Sequence, residues 1–393
     1  MIEPGRPEPG NYEEGVRSSR LASGEPTGRQ VVLFAAGVDE RTAEEKLGSI
    51  AGVRDLAKTS DFASHAIDVR QAERADAIMF SEIGAATVVV EPDRAEELQS
   101  AVREKESRIL SVEPELVFQL LDPASTATLD YDRGWQRGAV AASILGGLQD
   151  TDQATWGLQA TGVTTSGQSG RDVRVAILDT GLDQNHPDFT GRNVVAQSFV
   201  PGATADDGHG HGTHCAGTAC GSGSPRSGPR YGIAYESDIL VGKVLSDQGF
   251  GTDTNILAGI NWAIANNSQI VSMSLGADVR QVSDRYEIVG LRALAAGSLI
   301  IAAAGNNAHR SQNDFGFVGV PANSSSIIAV AAVDAQFEVA DFSTRSTPAS
   351  GGQIDLAGPG VDVYSSWVTP RKYNVISGTS MATPHVAGIA ALW

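Results

Sequence analysis

Cysteine is almost missing from this chain: among 393 residues only Cys215 and Cys220 are cysteines. Both fall in one expected helix after His211, where five residues impose about 7.5 Å of rise and roughly 140° of rotation. That separation is too large for a disulfide, and the pair says little about redox compartment. Aromatic residues are scarce at 6%, and cations are outnumbered, with 29 Lys+Arg against 47 Asp+Glu and a net charge of −18. Such an excess argues against nucleic acid or an anionic membrane as a partner. No apolar run approaches the roughly 18 residues that would span a bilayer. The opening MIEPGRPEPGNYEEGVRSSR has no basic stretch leading into an apolar one, so no secretory signal is legible in it.

Glycine, by contrast, is abundant at 44 residues, and 41% of the chain is hydrophobic. This composition fits a loop-rich α/β protein with room for two or more cores. Charge divides the chain near residue 150: residues 1–153 hold 16 Lys+Arg and 28 Asp+Glu, a net of −12, which leaves −6 of the −18 for the remainder. Residues 1–28 read as a flexible tail, 29–120 as a compact domain, 121–153 as a linker with helical character over 138–148, and 154–393 as a second domain. In the first domain the pattern predicts strands at 30–36, 62–69, 85–90 and 110–117 and helices at 41–50 and 94–105. That is a βαββαβ order, an α+β ferredoxin-like unit. His65 stands alone there and is expected to be structural.

In the second domain, continuous apolar runs at 174–178, 239–244, 270–273, 299–303 and 327–332 alternate with helical stretches at 254–266 and 285–296. Runs buried on both faces predict a doubly wound, mostly parallel sheet, with its crevice at the carboxyl ends of the strands. Asp179 and Asn306 both follow such ends. Around Ser380, small residues precede an apolar helix, and Thr379 or Ser380 is expected to cap it. The helix N-terminus would favour an anion formed beside Ser380. In Asp207-Gly-His-Gly-His-Gly-Thr-His214 the three histidines raise a metal reading, but the paired spacings of structural zinc are missing. His211 as a general base, with His214 packed one turn inward, is preferred. Asp179, His211 and Ser380 then stand in chain order as carboxylate, base and nucleophile for acyl transfer. The α/β-hydrolase elbow is excluded, because no acid follows Ser380.

These stretches resemble the subtilisin-like serine proteases. The resemblance rests on Ala176-Ile-Leu-Asp-Thr-Gly181, His211-Gly-Thr-His-Cys-Ala-Gly-Thr218 and Gly378-Thr-Ser-Met-Ala-Thr-Pro-His-Val-Ala-Gly388, with Ser272-Met-Ser-Leu-Gly276 and Ala302-Ala-Ala-Gly-Asn-Asn307. The His-Gly-Thr-His-Cys form and Asn306-Asn307 look closest to the proteinase K branch. The resemblance covers about Trp156 to the end and implies a serine endopeptidase with Asp179, His211 and Ser380 as its triad. Asn306 and the Ser380 N–H would donate to the oxyanion. Substrate would lie as an added strand against Gly249-Phe250-Gly251 and Ser274-Leu275-Gly276, with Ala304 and Gly305 beside the P1 pocket. Those pocket walls carry no carboxylate, so apolar or aromatic P1 residues are expected in a broad profile.

The first domain is similar to the inhibitory propeptides of these proteases through Ala85-Ala-Thr-Val-Val-Val-Glu-Pro92 and Leu110-Ser-Val-Glu-Pro114. This implies a zymogen whose own N-terminal domain is an intramolecular inhibitor, with proteins or peptides as substrates, a monomeric state and secretion. No cofactor for the chemistry is implied. Structural calcium is, at Asp355 with carbonyls near Ser325 and Ile327, whereas 221–232 lacks the Asn-bearing calcium loop of many subtilisins. The chain stops 393 − 380 = 13 residues after the nucleophile, where family members continue, so its C-terminal end is expected to be truncated. A catalytically silent binding module on a protease fold, or an incomplete inactive fragment, stands as the alternative.

Overall fold

A computed structural model describes residues 22–68, 72, 74–121, 147–348 and 351–393. In its larger domain, seven strands form one parallel sheet in the order β14-β13-β12-β10-β6-β8-β7. These are β6 (Arg174–Asp179), β7 (Val194–Ser198), β8 (Asp238–Lys243), β10 (Ile270–Met273), β12 (Leu299–Ala303), β13 (Ile328–Val333) and β14 (Leu356–Pro359). The central strands are apolar on both faces because both faces are covered. Val175 and Ile177 of β6 pack with Cys215, Ala216 and Met381, while Ala176 and Leu178 pack with Leu257 and Ile260 on the other side. Helices α4 (His211–Cys220) and α7 (Thr379–Ala390) lie on the first side. Helices α5 (Asp253–Ala265) and α6 (Asp284–Ala295) lie on the second. The doubly wound expectation holds. The sequence pattern missed β7 and β14, the two edge strands, because each is partly exposed and so lacks a continuous apolar run.

The smaller domain is a sheet in the order β5-β1-β4-β3-β2, built from β1 (Pro26–Phe34), β2 (Leu56–Lys58), β3 (Ala77–Phe80), β4 (Ala85–Val88) and β5 (Ile109–Leu120). Helices α1 (Glu40–Ala51) and α2 (Pro92–Ala101) complete the βαββαβ order, with β3 as its second long strand. Alternation sorts the sheet's two faces. Val32, Phe34, Met79 and Val88 meet Leu47 and Leu98 of the helices. Val31, Leu33, Ile78 and Phe80 turn the other way, onto Ile256, Ile260 and Ala263 of α5 and Val289 and Ala293 of α6. Helix α5 is therefore covered by the parallel sheet on one side and the small domain on the other, which explains why it is buried almost throughout.

Three expectations are corrected here. Of the stretch 62–69, the described residues 62–68 form no strand: they follow the short β2 and contain a 3₁₀ turn, with Ser64 and His65 at φ of 53° and 54°, which extended backbone cannot accommodate. The Asn266 Nδ2 of the α5 C-terminus donates to Ser64 O (2.9 Å) and holds that turn from the other domain. Residues 26–28, assigned to the tail, belong to β1, which begins at Pro26. The last strand continues from 117 to Leu120. The expected helical character over 138–148 lies largely outside the described residues.

Carboxylates on β5 fasten the two domains at the helix N-termini, where backbone N–H groups have no partner within their own helix. Glu115 accepts the Thr254 N–H (3.0 Å) and hydroxyl at α5. Glu113 accepts the Arg285 N–H (2.9 Å) and the Ser283 hydroxyl (2.7 Å) at α6. In return, Asp253 accepts the Leu116 N–H (2.7 Å), and the buried Arg285 guanidinium bridges Asp253 (2.8 Å) and Pro114 O (2.9 Å). Arg292 donates to the carbonyls of Phe34, Ile83 and Gly84.

Candidate active site

Four segments converge at the carboxyl end of the parallel sheet. Asp179 ends β6, His211 opens α4, Asn306 follows β12, and Ser380 lies in the first turn of α7. Asp179, His211 and Ser380 are fully buried. The His211 Nδ1 lies 2.8 Å from Asp179 Oδ1, which also accepts the Thr180 N–H (2.7 Å). Burial works against the imidazolium, but the neighbouring Asp179 carboxylate outweighs it and holds His211 well above the usual imidazole range. Cys215 lies one turn along α4, its Sγ 3.8 Å from His211 Nδ1 and 3.5 Å from Ser380 O. Burial pushes its thiol up to about 11.

His214, the expected packing residue, is buried with Nε2 2.9 Å from Val363 O, and burial lowers it to about 3. It is thus a neutral imidazole engaged by backbone rather than a partner of His211 in a metal site. The capping expectation at Ser380 is corrected: the cap of α7 is Gly378, and neither hydroxyl caps the helix. Thr379 instead orients Asn306, whose Oδ1 accepts both the Thr379 N–H (3.0 Å) and its hydroxyl (2.9 Å). The amide Nδ2 of Asn306 then points into the cleft.

A segment of the chain itself fills that cleft. The end of β5 pairs antiparallel with β9 (Phe250–Thr252) on one side and β11 (Leu275–Gly276) on the other, in the register Phe118↔Gly251, Gln119↔Phe250 and Leu120↔Leu275. Leu120 N–H also reaches Gly249 O (3.0 Å). Two of the stretches expected to bind an extended peptide therefore flank one here. Phe118 is buried edge-on to Tyr286, with ring centroids 5.8 Å apart. Leu121 packs so close to Gly276 that a methyl there would lie 3.0 Å from its Cδ1. The Leu121 carbonyl accepts the Ser380 hydroxyl (3.0 Å) and the Asn306 amide. The sequence did not point to Leu121, and it offered Thr379 only as a helix cap. The only sign was an apolar run that continues past residue 117.

Asp355, Ser325 and Ile327 stand apart from this cleft, at the β13–β14 edge of the sheet. Asp355 Oδ2 accepts the Ala329 N–H (2.9 Å), and the N–H and hydroxyl of Ser325 both reach the Glu287 carboxylate (2.6 and 2.7 Å).

Among the described residues, Asp179, His211 and Cys215 form a group with one ligand atom each within 4.8 Å of one another. Sulfur and imidazole favour a soft metal. We expect micromolar Hg²⁺ to inhibit the wild type about 10²-fold by displacing the imidazole roughly an ångström. Cys215→Ala should keep most of the activity and resist mercury. Near-complete loss in a folded Cys215→Ala protein would show that the thiol takes part in turnover, and unchanged mercury sensitivity would move the target to Cys220.

The larger domain is similar to known proteins. Residues 170–393 match the peptidase S8 subtilase family. Subtilisin of Bacillus pumilus is 39% identical over 237 residues, 60% of this chain and 81% of that protein. Thermitase of Thermoactinomyces vulgaris is 40% identical over 224 residues, 57% of this chain and 75% of that protein. Among solved structures, sphericase superposes with a TM-score of 0.54 at 34% identity over 62% of this chain and 84% of that one. A cold-adapted subtilisin-like serine proteinase gives 0.51 at 33% identity over 61% and 84%. On this family match and the identity to these relatives, the chain belongs to the subtilase family of serine endopeptidases.

Proposed function

We propose that this chain is a zymogen that cuts itself after Leu121 and then hydrolyses other polypeptides through Asp179, His211 and Ser380. The observation that carries the reading is the Leu121 carbonyl, which accepts hydrogen bonds from both Ser380 and Asn306. In this reading His211 takes the hydroxyl proton as Ser380 Oγ attacks the Leu121 carbonyl carbon. Asp179 holds the imidazole in the required tautomer and stabilises the imidazolium. The Asn306 amide, with the Ser380 N–H, carries the oxyanion. Collapse expels the amine of Asp122, protonated by His211, and leaves an acyl-enzyme that water hydrolyses by the reverse sequence. The small domain is then an intramolecular inhibitor that occupies the cleft until it is removed.

The same occupancy sets the expected specificity. Val117, Phe118 and Leu121, all apolar, are the buried side chains of the bound segment, and no carboxylate lies in 274–277 or 302–307. N-terminal sequencing of the processed protein should therefore begin at Asp122, and a peptide library should show preference for apolar or aromatic P1 residues. A processed terminus elsewhere, or cleavage confined to sites after Arg or Lys, would overturn this reading.

Calcium would be held by Asp355 and by the carbonyls of Ser325 and Ile327, all hard oxygen donors that suit it. Because Asp355 Oδ2 is taken by Ala329 N–H and the Ser325 hydroxyl by Glu287, the ion would rely on the second carboxylate oxygen and on backbone. Its contribution would be to stability alone.

A further inference from the structure

Between the strand that carries Asp179 and the helix that carries His211 lies a second buried carboxylate, Asp207, which the reaction itself does not use. It is 8% exposed and accepts five hydrogen bonds. Its Oδ1 takes the Thr180 hydroxyl (2.9 Å) and the N–H groups of His209 (3.0 Å) and Gly210 (2.8 Å). Its Oδ2 takes the N–H (2.8 Å) and hydroxyl (2.7 Å) of Thr213. An ionised carboxylate offers about four lone-pair sites, so this one is saturated. We propose that Asp207 and Thr180 form a brace that fixes Asp179 and His211 relative to each other, making Asp207 a positioning residue for the reaction.

Thr180 is the other half of the brace. Its hydroxyl donates to Asp207 and accepts the Gly212 N–H (2.9 Å), so one oxygen joins the end of β6 to the first turn of α4. Its N–H bonds to Asp179 (2.7 Å) and its carbonyl accepts the buried Lys243 ammonium. Lys243 in turn holds Asp247 (2.5 Å), which accepts the Gly208 N–H (3.0 Å). The two backbones also touch directly: a methyl at Gly212 would come within 2.3 Å of Gly181 O, so no side chain fits between helix and strand end. Beside the direct Asp179–His211 contact, Thr180 and the loop 207–210 thus tie the strand end that carries Asp179 to the helix start that carries His211. A misplacement of about 1 Å between reacting groups costs on the order of 10²-fold in rate.

The inference rests on Asp179, His211 and Ser380 acting as a triad, and its test separates the two. Thr180→Val, Thr180→Ser, Asp207→Asn and the double variant Thr180→Val/Asp207→Asn would be compared in the full chain after processing, with thermal melts to establish folding. Thr180→Val and Asp207→Asn should each lower kcat about 10- to 100-fold with KM within about threefold, and Thr180→Ser should recover most of the rate. The double variant should cost little more than the worse single change, because both act on one link.

Among the described residues, the titratable groups around the catalytic imidazole include Asp179, Cys215, His209, whose ring centroid lies 6.3 Å from that of His211, and the neutral His214 one turn inward. A loosened Asp179 contact disfavours the imidazolium, so the acid limb of kcat/KM should move to lower pH in both single variants. Losses that add, a rise in KM alone, or a Thr180→Val enzyme equal to wild type would overturn the brace. Should Asp207→Asn fail to fold, the Thr180→Val and Thr180→Ser pair decides alone. A wild type that neither processes nor reacts with a fluorophosphonate at Ser380 would instead sink the triad reading.

Discussion

Ser380→Ala is expected to leave the chain in one piece. The wild type should separate into two fragments on a denaturing gel as the bond after Leu121 is cut, while the variant, with no hydroxyl beside the Leu121 carbonyl, should stay intact through the same incubation. Hydrolysis of an unfolded protein substrate should fall on the order of 10⁶-fold, the scale measured when the nucleophile was removed from a subtilisin. The fold should survive. Among the described residues, Ser380 Oγ bonds to the carbonyls of Leu121 and Ser274, and losing it removes a single small atom. Equal proteolysis by the variant, once contaminating proteases are excluded, would end the assignment.

Asn306→Ala comes next in size. Its Nδ2 donates to the Leu121 carbonyl, and that bond strengthens as the oxygen gains charge, so the loss should fall on kcat with KM little changed. The expected drop is about 10²- to 10³-fold, again a scale measured for such a donor in subtilisin. Thr379 makes the effect specific: it holds Asn306 Oδ1 through two hydrogen bonds, so the donor is aimed before substrate arrives. A rise in KM at constant kcat would mean that Asn306 binds the ground state and not the oxyanion.

Local pattern revealed what local forces decide. The central strands β6, β10 and β12 announced themselves because strands buried on both faces must be apolar throughout, and the glycine-rich neighbourhoods of His211 and Ser380 because backbone there must approach backbone. Asp179, His211 and Ser380 stood in a legible order for that reason. What stayed hidden was decided between distant segments. Residues 62–69 carry enough Ala, Ile and Val to pass for a strand, yet a turn at Ser64 is held by Asn266 some two hundred residues later. Leu121 looked like the start of a linker, since nothing near it in sequence shows that Asn306 and Ser380 wait around its carbonyl. Asp207 sits in a glycine-rich turn and resembles any loop carboxylate until Thr180 and Thr213 are brought to it.

The arrangement of α5 also bears on how quickly the protein can be made. The seven-stranded parallel sheet joins strands far apart in sequence, and such pairings form slowly because loop closure must be met before contacts reward it. The small domain has a shorter span, from β1 at residue 26 to the end of β5 at residue 120, and emerges first from a ribosome. It can stand complete while the larger domain is still searching. The face it turns toward the larger domain, Val31, Leu33, Ile78 and Phe80, would then offer α5 and α6 a template, with Glu113 and Glu115 marking where each helix begins. In the zymogen reading proposed above, such a template would act on the height of a barrier rather than the depth of a well, so cutting it away after Leu121 would not undo what it helped to build. Heat that unfolds the processed enzyme would then remove activity for good, because the route back up that barrier has been digested.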